Sequence, residues 1–293
     1  MYAITGITGK VGGALASALL AAGRPVRAVV RNEARGTVWA AKGCELAIAD
    51  MTDAATLTTA FHGAEAVFIL PPSDFDPQPG YPEARKVIDA VVTALAAARP
   101  GRVLCLSTIG ADAPHDNLLS QRTLMEAALR RLDLPVTFLR PGWFMENAAW
   151  DVPAARDEGV LRSFLQPADK AFPMVATGDV GCVAAELIQQ SWTGERIVEL
   201  EGPARVSPND LAQAFAEALG RPVRVEVAPR ETWEDLFREQ GMRHPIPRIR
   251  MIDGFNEGWI RFGEDDSRRV RGRTSLADVI RGLVAHVEPA QPA

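Results

Sequence analysis

The chain has 293 residues, 47% of them apolar, which is enough for a substantial core and excludes a disordered polypeptide. Its formal net charge is -5, so the basic excess expected of a nucleic-acid binder is missing. Three widely spaced cysteines, Cys44, Cys105 and Cys182, argue against a disulfide framework, and no apolar run approaches the roughly 20 residues of a membrane span. Residues 1–5 are already strand-like and leave no room for a basic leader, which predicts a cytoplasmic protein.

In chain order, short apolar runs at Tyr2–Thr5, Val26–Val30, Glu45–Ile48, Ala66–Leu70, Arg102–Ser107 and Val136–Leu139 predict strands. Helical segments are predicted between them, near residues 10–22, 33–42, 54–61, 82–98 and 117–131. This alternation implies a doubly wound Rossmann-type α/β fold, a parallel sheet with helices on both faces. After Pro141 the rhythm changes. Helix is expected at Asp179–Gln190, strand at Arg196–Leu200, helix from Ser207 to Gly220, strand at Val223–Val227, and helix near 231–240, 246–260 and 275–286. Ser207-Pro208 is a strong helix start, an N-cap followed by proline at the first helical position. The expectation is a Rossmann domain over 1–150 and a smaller α/β substrate-side lobe over 151–293, interleaved with the sheet through residues 179–200. Arg268–Arg273 follows Glu264-Asp265-Asp266 and reads as a solvated mixed-charge segment. Glu288–Ala293 is a low-complexity tail.

The chemistry starts at Gly6-Ile7-Thr8-Gly9-Lys10-Val11-Gly12, between the first strand and an amphipathic helix. Such a turn binds a dinucleotide: Gly6 makes the tight turn, Gly9 lets backbone approach a pyrophosphate, and Gly12 lets helix pack on strand. Free N–H groups at the helix start then attract phosphate. Sites that prefer NAD place a carboxylate after the second strand, to bind the ribose hydroxyls. This chain has Arg31 there, and Arg35 about one turn later. Guanidinium groups suit a 2′-phosphate, so NADP(H) is expected over NAD(H). Asp50, followed by Met51, either accepts from an adenine amino group or caps the next helix. Leu70-Pro71-Pro72 and Ser107-Thr108 end the fourth and fifth strands, where ligands of open α/β sheets are walled.

Together with Leu106–Ala111, Leu139-Arg140-Pro141-Gly142-Trp143-Phe144-Met145-Glu146-Asn147 and Asp253–Trp259, these residues resemble the NmrA-like atypical short-chain dehydrogenase/reductases. The likeness is to the azoreductase, triphenylmethane-reductase and quinone-reductase branch. It implies that Pro141, Trp143, Phe144 and Asn147 line a nicotinamide pocket. From the residues alone, that stretch suits either a pocket wall or a hydrophobic staple on a helix starting near Phe144.

Ordinary short-chain dehydrogenases use a Tyr-x-x-x-Lys pair, and here it is absent. Tyr2 lies in the first strand, and Tyr81 is followed at the required spacing by Arg85. Aligning Glu126 with the Lys-x-x-x-Glu pattern of many relatives puts Arg122 at the lysine position and Leu118 at the tyrosine position. Arg122 then either holds the ribose or nicotinamide amide, or is a surface helix residue. The sequence picks out no proton donor; Arg122, Thr108 and His115 are the groups to weigh. The histidines form no metal pair, and no metal site is expected. Without a matched acid, a flat conjugated acceptor such as a quinone or dye suits the chain better than a plain ketone. Phe75, Trp143, Phe144 and Met145 offer its apolar wall. The alternative is an NADP(H)-sensing regulator that binds a protein partner and performs no chemistry.

Overall fold

A computed structural model describes residues 1–286. The elements run β1 (Tyr2–Ile4), α1 (Lys10–Ala21), β2 (Val26–Val30), α2 (Glu33–Ala41), β3 (Glu45–Ile48), α3 (Ala54–Phe61), β4 (Ala66–Ile69), α4 (Pro82–Ala98), β5 (Val103–Leu106), α5 (Ser120–Leu129) and β6 (Val136–Pro141). There follow β7 (Trp143–Phe144), a 3-10 segment (Met145–Trp150), α6 (Val152–Asp157), β8 (Val160–Ser163), β9 (Met174–Val175), α7 (Thr177–Ile188) and β10 (Glu195–Glu201). The last are α8 (Pro208–Leu219), β11 (Arg224–Val227), α9 (Trp233–Glu239), α10 (Ile246–Glu257), β12 (Arg269–Arg271) and α11 (Leu276–His286). The tail Glu288–Ala293 lies outside the described residues.

An eight-stranded sheet runs β12-β10-β6-β5-β4-β1-β2-β3. Every pairing in it is parallel, so the doubly wound Rossmann-type fold is present. The strand order reverses between β1 and β4, and this opens a crevice at their carboxyl ends. Side chains alternate across the sheet: Tyr2 and Ile4 pack on the α1 and α7 face, and Ala3 on the α3, α4 and α5 face. Burial on both faces is why these strands are continuous apolar runs. Helix α7 lies tightly on α1, because a side chain at Gly181 would sit 2.4 Å from Ala14 Cβ.

The smaller pairs β8–β11 and β7–β9 lie outside the main sheet. One apolar cluster joins Trp233, Phe237, Phe255 and Phe172, and another joins Val152, Leu161, Phe215 and Ile280. Helix α8 starts at Ser207, whose hydroxyl accepts from the Asp210 N–H while the Asp210 carboxylate accepts from the Ser207 N–H, and it stops at left-handed Gly220.

Several boundaries differ from expectation. Helix α5 begins at Ser120 rather than 117, because the Asn117 side chain accepts from the Leu119 N–H and holds a turn. Helix α10 ends at Glu257 before left-handed Gly258. No helix starts at Phe144: β7 comes first, then the 3-10 segment. Arg268–Arg273, read as a solvated mixed-charge segment, is largely exposed and pairs with Asp265 and Asp266, but within it Arg269–Arg271 also forms the sheet edge β12 beside β10, which was not expected. The reason is charge pairing. Glu199 and Glu201 of β10 are buried and face Arg269 and Arg271 at 3.5 and 3.6 Å.

Candidate functional site

The glycine turn sits at the crevice. Gly6 has φ +66°, and Leu70 lies where its side chain would point. A Cβ on Gly12 would stand 2.3 Å from the Gly6 carbonyl oxygen, so helix packing itself demands glycine there. Gly9 is different: a Cβ would meet only the Gly6 oxygen, at 3.4 Å. Packing does not require that glycine, and the space beside it stays open. Gly9 is also the N-cap of α1, with no side chain capping the helix. The first-turn N–H groups therefore keep their capacity to donate to an anion. Thr8 and Lys10 are exposed beside them, and Val11 is buried in the core.

Buried Thr5 ties the two sides of the crevice together. Its hydroxyl donates to the Phe68 carbonyl (3.0 Å) and accepts from the Leu70 N–H (2.8 Å). This bond fixes Leu70-Pro71-Pro72 across from the glycines. Arg31 and Arg35 are exposed past the end of β2, and their guanidinium groups bond to no protein group among the described residues. Asn32 between them caps α2. Asp50 does not cap α3; Asp53 does. The Asp50 carboxylate instead accepts from the Thr52 N–H and hydroxyl, and these bonds, helped by the Arg31 charge, hold it below the usual carboxylate range. Met51 packs under the same edge.

The carboxyl end of β5 is organised by a buried ion pair. Arg140 donates to Glu126 through Nε (2.9 Å) and a terminal nitrogen (2.7 Å), with the two side chains only 4% and 1% exposed. Ser107 Oγ donates to the same carboxylate, and Arg130 (2.9 Å) reaches it from the surface. Burial works against the Arg140 charge, but the bonds and charges of Glu126 and Asp112 outweigh it and leave the guanidinium above its usual range. Ser107 is thus committed to the core, while Thr108 is half-buried. Arg122 donates to the Pro71 and Pro72 carbonyls (3.0 and 3.3 Å) and to Ser73 Oγ (2.9 Å). Its N–H donors clamp the loop after β4.

Beyond β6 a cavity of about 560 Å³ opens, walled by Trp143, Phe144, Met145 and Asn147, with Asp151 and Arg248 also on it. Trp143 is held edge-on to Phe255, 5.3 Å between ring centroids. Trp150, exposed, stands edge-on to exposed Phe75 at 6.5 Å. Asp151 lies where the 3-10 segment meets α6, and its side chain makes no capping bond. Burial pushes its carboxyl up to about 7. Arg248 lies over the Phe237 ring (4.3 Å), and its nearest polar partner is the Met242 sulfur (3.6 Å).

The sequence profile of the NmrA-like family matches residues 2–257. This chain belongs to the NmrA-like family. It is 31% identical over 228 residues to a (4-alkanoyl-5-oxo-2,5-dihydrofuran-3-yl)methyl phosphate reductase of Streptomyces griseus, covering 77% of this chain and 76% of the relative. It is 26% identical over 259 residues to an NAD(P)H azoreductase of Xenophilus azovorans, covering 88% and 85% of the two chains. In three dimensions it is similar to an NADPH-dependent quinone oxidoreductase of Escherichia coli crystallised with NADPH. That match has a TM-score of 0.80 at 24% identity, over 97% of this chain and 99% of the other. The resemblance read from the sequence is borne out.

In this NmrA-like chain the structure gathers Gly6, Gly9, Gly12, Leu70 and Pro71 at one crevice, and Trp143, Phe144, Met145 and Asn147 at one cavity. Pro141 ends β6 just before that wall. It does not bring His115 to the cavity: that ring is exposed and edge-on to Trp259 at 5.0 Å. Phe75 stands outside, against Trp150. Asp179 anchors a distant loop, accepting from the Arg273 and Thr274 N–H groups at 2.7 and 2.8 Å. The sequence reading missed Asp151 and Arg248. For Asp151 a signal existed, an acid one helical turn after Asn147 with no base four residues away. Among the described residues no helix is long and apolar enough to cross a membrane, and no cluster of three or more His, Cys, Asp or Glu suits a metal ion.

Proposed function

We propose that the protein is an NADPH-dependent reductase that delivers hydride to a quinone-like or otherwise conjugated, flat acceptor. The observation that carries this reading is the 560 Å³ cavity with Trp143, Phe144 and Asn147 on its wall, which the chain enters just past the carboxyl end of β6. The turn fits a dinucleotide, because Gly9 leaves space that packing does not use and the α1 N–H groups are uncapped. In this reading Gly6–Gly12 holds the pyrophosphate, and Arg31 and Arg35 pair with a 2′-phosphate. Asp50 and Met51 flank the adenine. Leu70, Pro71, Pro72, Ser107 and Thr108 form the wall behind the ribose, and Pro141, Trp143, Phe144 and Asn147 border the nicotinamide. Arg122 shapes the site at one remove, by holding Pro71 and Pro72.

When bound, the reduced nicotinamide supplies the hydride. The protein's part is to orient a flat acceptor on the Trp143 and Phe144 wall and to keep water from it. The named activities of the azo and quinone reductases support this class of acceptor. The test is NADPH oxidation with a panel of naphthoquinones and azo dyes, alongside titrations with NADPH and NADH. Saturable turnover on a quinone with tighter NADPH binding is expected. Saturable binding with no turnover on any acceptor refutes the reductase reading and leaves the cofactor-sensing one.

A further inference from the structure

We propose that Asp151 is the proton donor of this site: in the cavity it shares with Trp143, Phe144 and Asn147, its carboxyl group protonates the acceptor oxygen as hydride arrives. This assignment rests on the reductase reading above. The chain lacks the tyrosine acid of ordinary short-chain dehydrogenases; of the groups that the sequence offered instead, the Thr108 hydroxyl is far too weak an acid for neutral pH, and the other two are engaged or distant. Arg122 is clamped to the Pro71–Ser73 loop, and His115 lies against Trp259. Asp151 has no structural task that competes. It stands at the first turn of α6 without capping it, and it has no ion-pair partner among the described residues.

Its surroundings explain why it can hold a proton at neutral pH. Charged groups on the elements packed around α6 are bound elsewhere: Glu146 to Thr177, Arg162 to Glu158, Asp210 to Ser207, and Asp278 to Ser275 and Arg281. Arg156 pairs with Asp157 within α6 itself. Arg248, the other cation on the cavity, is stacked over Phe237 and forms no ion pair with Asp151. Among the described residues no ion pair or side-chain hydrogen bond therefore offsets the burial of the Asp151 carboxylate, and burial raises its carboxyl to about 7. An acid tuned near the operating pH is what general-acid catalysis requires.

The step balances. A quinone gains a hydride equivalent from the reduced nicotinamide and one proton from Asp151. The carboxyl O–H bond breaks, an O–H bond forms on the acceptor, the nicotinamide is left oxidised, and bulk water returns the proton to the carboxylate. Donation needs the protonated form, so kcat should hold below pH 7 and fall above it.

The experiment compares wild type with D151N. It uses naphthoquinone reduction from pH 5.5 to 9, NADPH titrations, and carboxyl-carbon NMR of aspartate-labelled protein. We expect D151N to bind NADPH as wild type does and to lose about 100-fold in kcat with KM within about threefold. Its pH profile should lose the fall above pH 7, and one aspartate resonance titrating near pH 7 should vanish. Turnover by D151N with unchanged kcat and an unchanged profile overturns this assignment alone. Wild-type protein that reduces no acceptor overturns it together with the reductase reading. If D151N does not fold, the wild-type resonances decide: an aspartate titrating near pH 7 that shifts when a naphthoquinone is added supports the assignment, and aspartates that all titrate below pH 5 refute it.

Discussion

Replacing Glu126 by glutamine keeps the side-chain shape and removes the buried negative charge. Arg140 then loses an anion that it touches through both Nε and a terminal nitrogen, at 2.9 and 2.7 Å. Its other partner, Asp112, is 64% exposed and therefore largely screened. Stripping one partner from a buried pair costs roughly 3–5 kcal/mol. Because glutamine still offers one acceptor oxygen, we expect the lower end, about 3 kcal/mol. An unfolding entropy of about 2.1 cal/mol/K per residue gives about 0.6 kcal/mol/K for this chain, so Tm should fall by roughly 5 °C. Urea melts followed by circular dichroism are the assay, with the midpoint shifting at an unchanged slope. The double variant E126Q/R140M removes the stranded cation as well and should recover part of the loss. A loss below about 1 kcal/mol for E126Q, or a double variant that loses the sum of the singles, refutes the claim that the pair is coupled and buried.

The glycines make a paired test. G12A drives a methyl into the Gly6 carbonyl and should destabilise the fold by about 2 kcal/mol or more, whereas G9A should fold normally yet weaken NADPH binding at least tenfold by calorimetry. R31A should raise the Kd for NADPH about tenfold and leave that for NADH nearly unchanged; an equal loss for both would remove the 2′-phosphate contact. Native protein should react with a thiol reagent at Cys182 alone, since Cys44 and Cys105 are buried and burial pushes the Cys105 thiol up to about 12. Mass spectrometry of the labelled peptides checks this.

How far the sequence could be read follows from where each residue gets its partners. Val26–Val30 and Ala66–Ile69 are visible because strands buried on both faces must be apolar throughout. Ser207 and Gly220 mark α8 because caps are local chemistry. Arg269–Arg271 looks like a solvated run because its local partner Asp266 makes it a mixed-charge stretch, while Glu199 and Glu201, which face it from β10, lie some 70 residues earlier in the chain. Short strands such as Trp143–Phe144 and Met174–Val175 carry no periodicity, and only their mutual pairing defines them. At the site, the glycine turn is a contiguous motif and was readable. The role of Arg122 was not, because the carbonyls it clamps belong to a loop about 50 residues away. Asp151 was legible only in part: its own stretch of chain places an acid one turn after Asn147, but the lack of an ion-pair partner is a property of the packed surroundings.

The close seat of Gly181 on Ala14 also has a consequence for how the chain comes into being. The inner strands of the sheet are complete once Pro141 has been made, but the helix that covers the apolar side of α1 ends only at Ile188. At a synthesis rate of about 5–20 residues per second, that face waits uncovered for roughly 2 to 9 seconds, and edge strand β6 waits longer still for β10. During that interval the nascent chain carries both a bare greasy helix and an open strand edge, the two features that chaperones bind and that aggregates grow from. Slow codons placed between these two points would lengthen the exposure, and expression yield should register it before any property of the finished protein does.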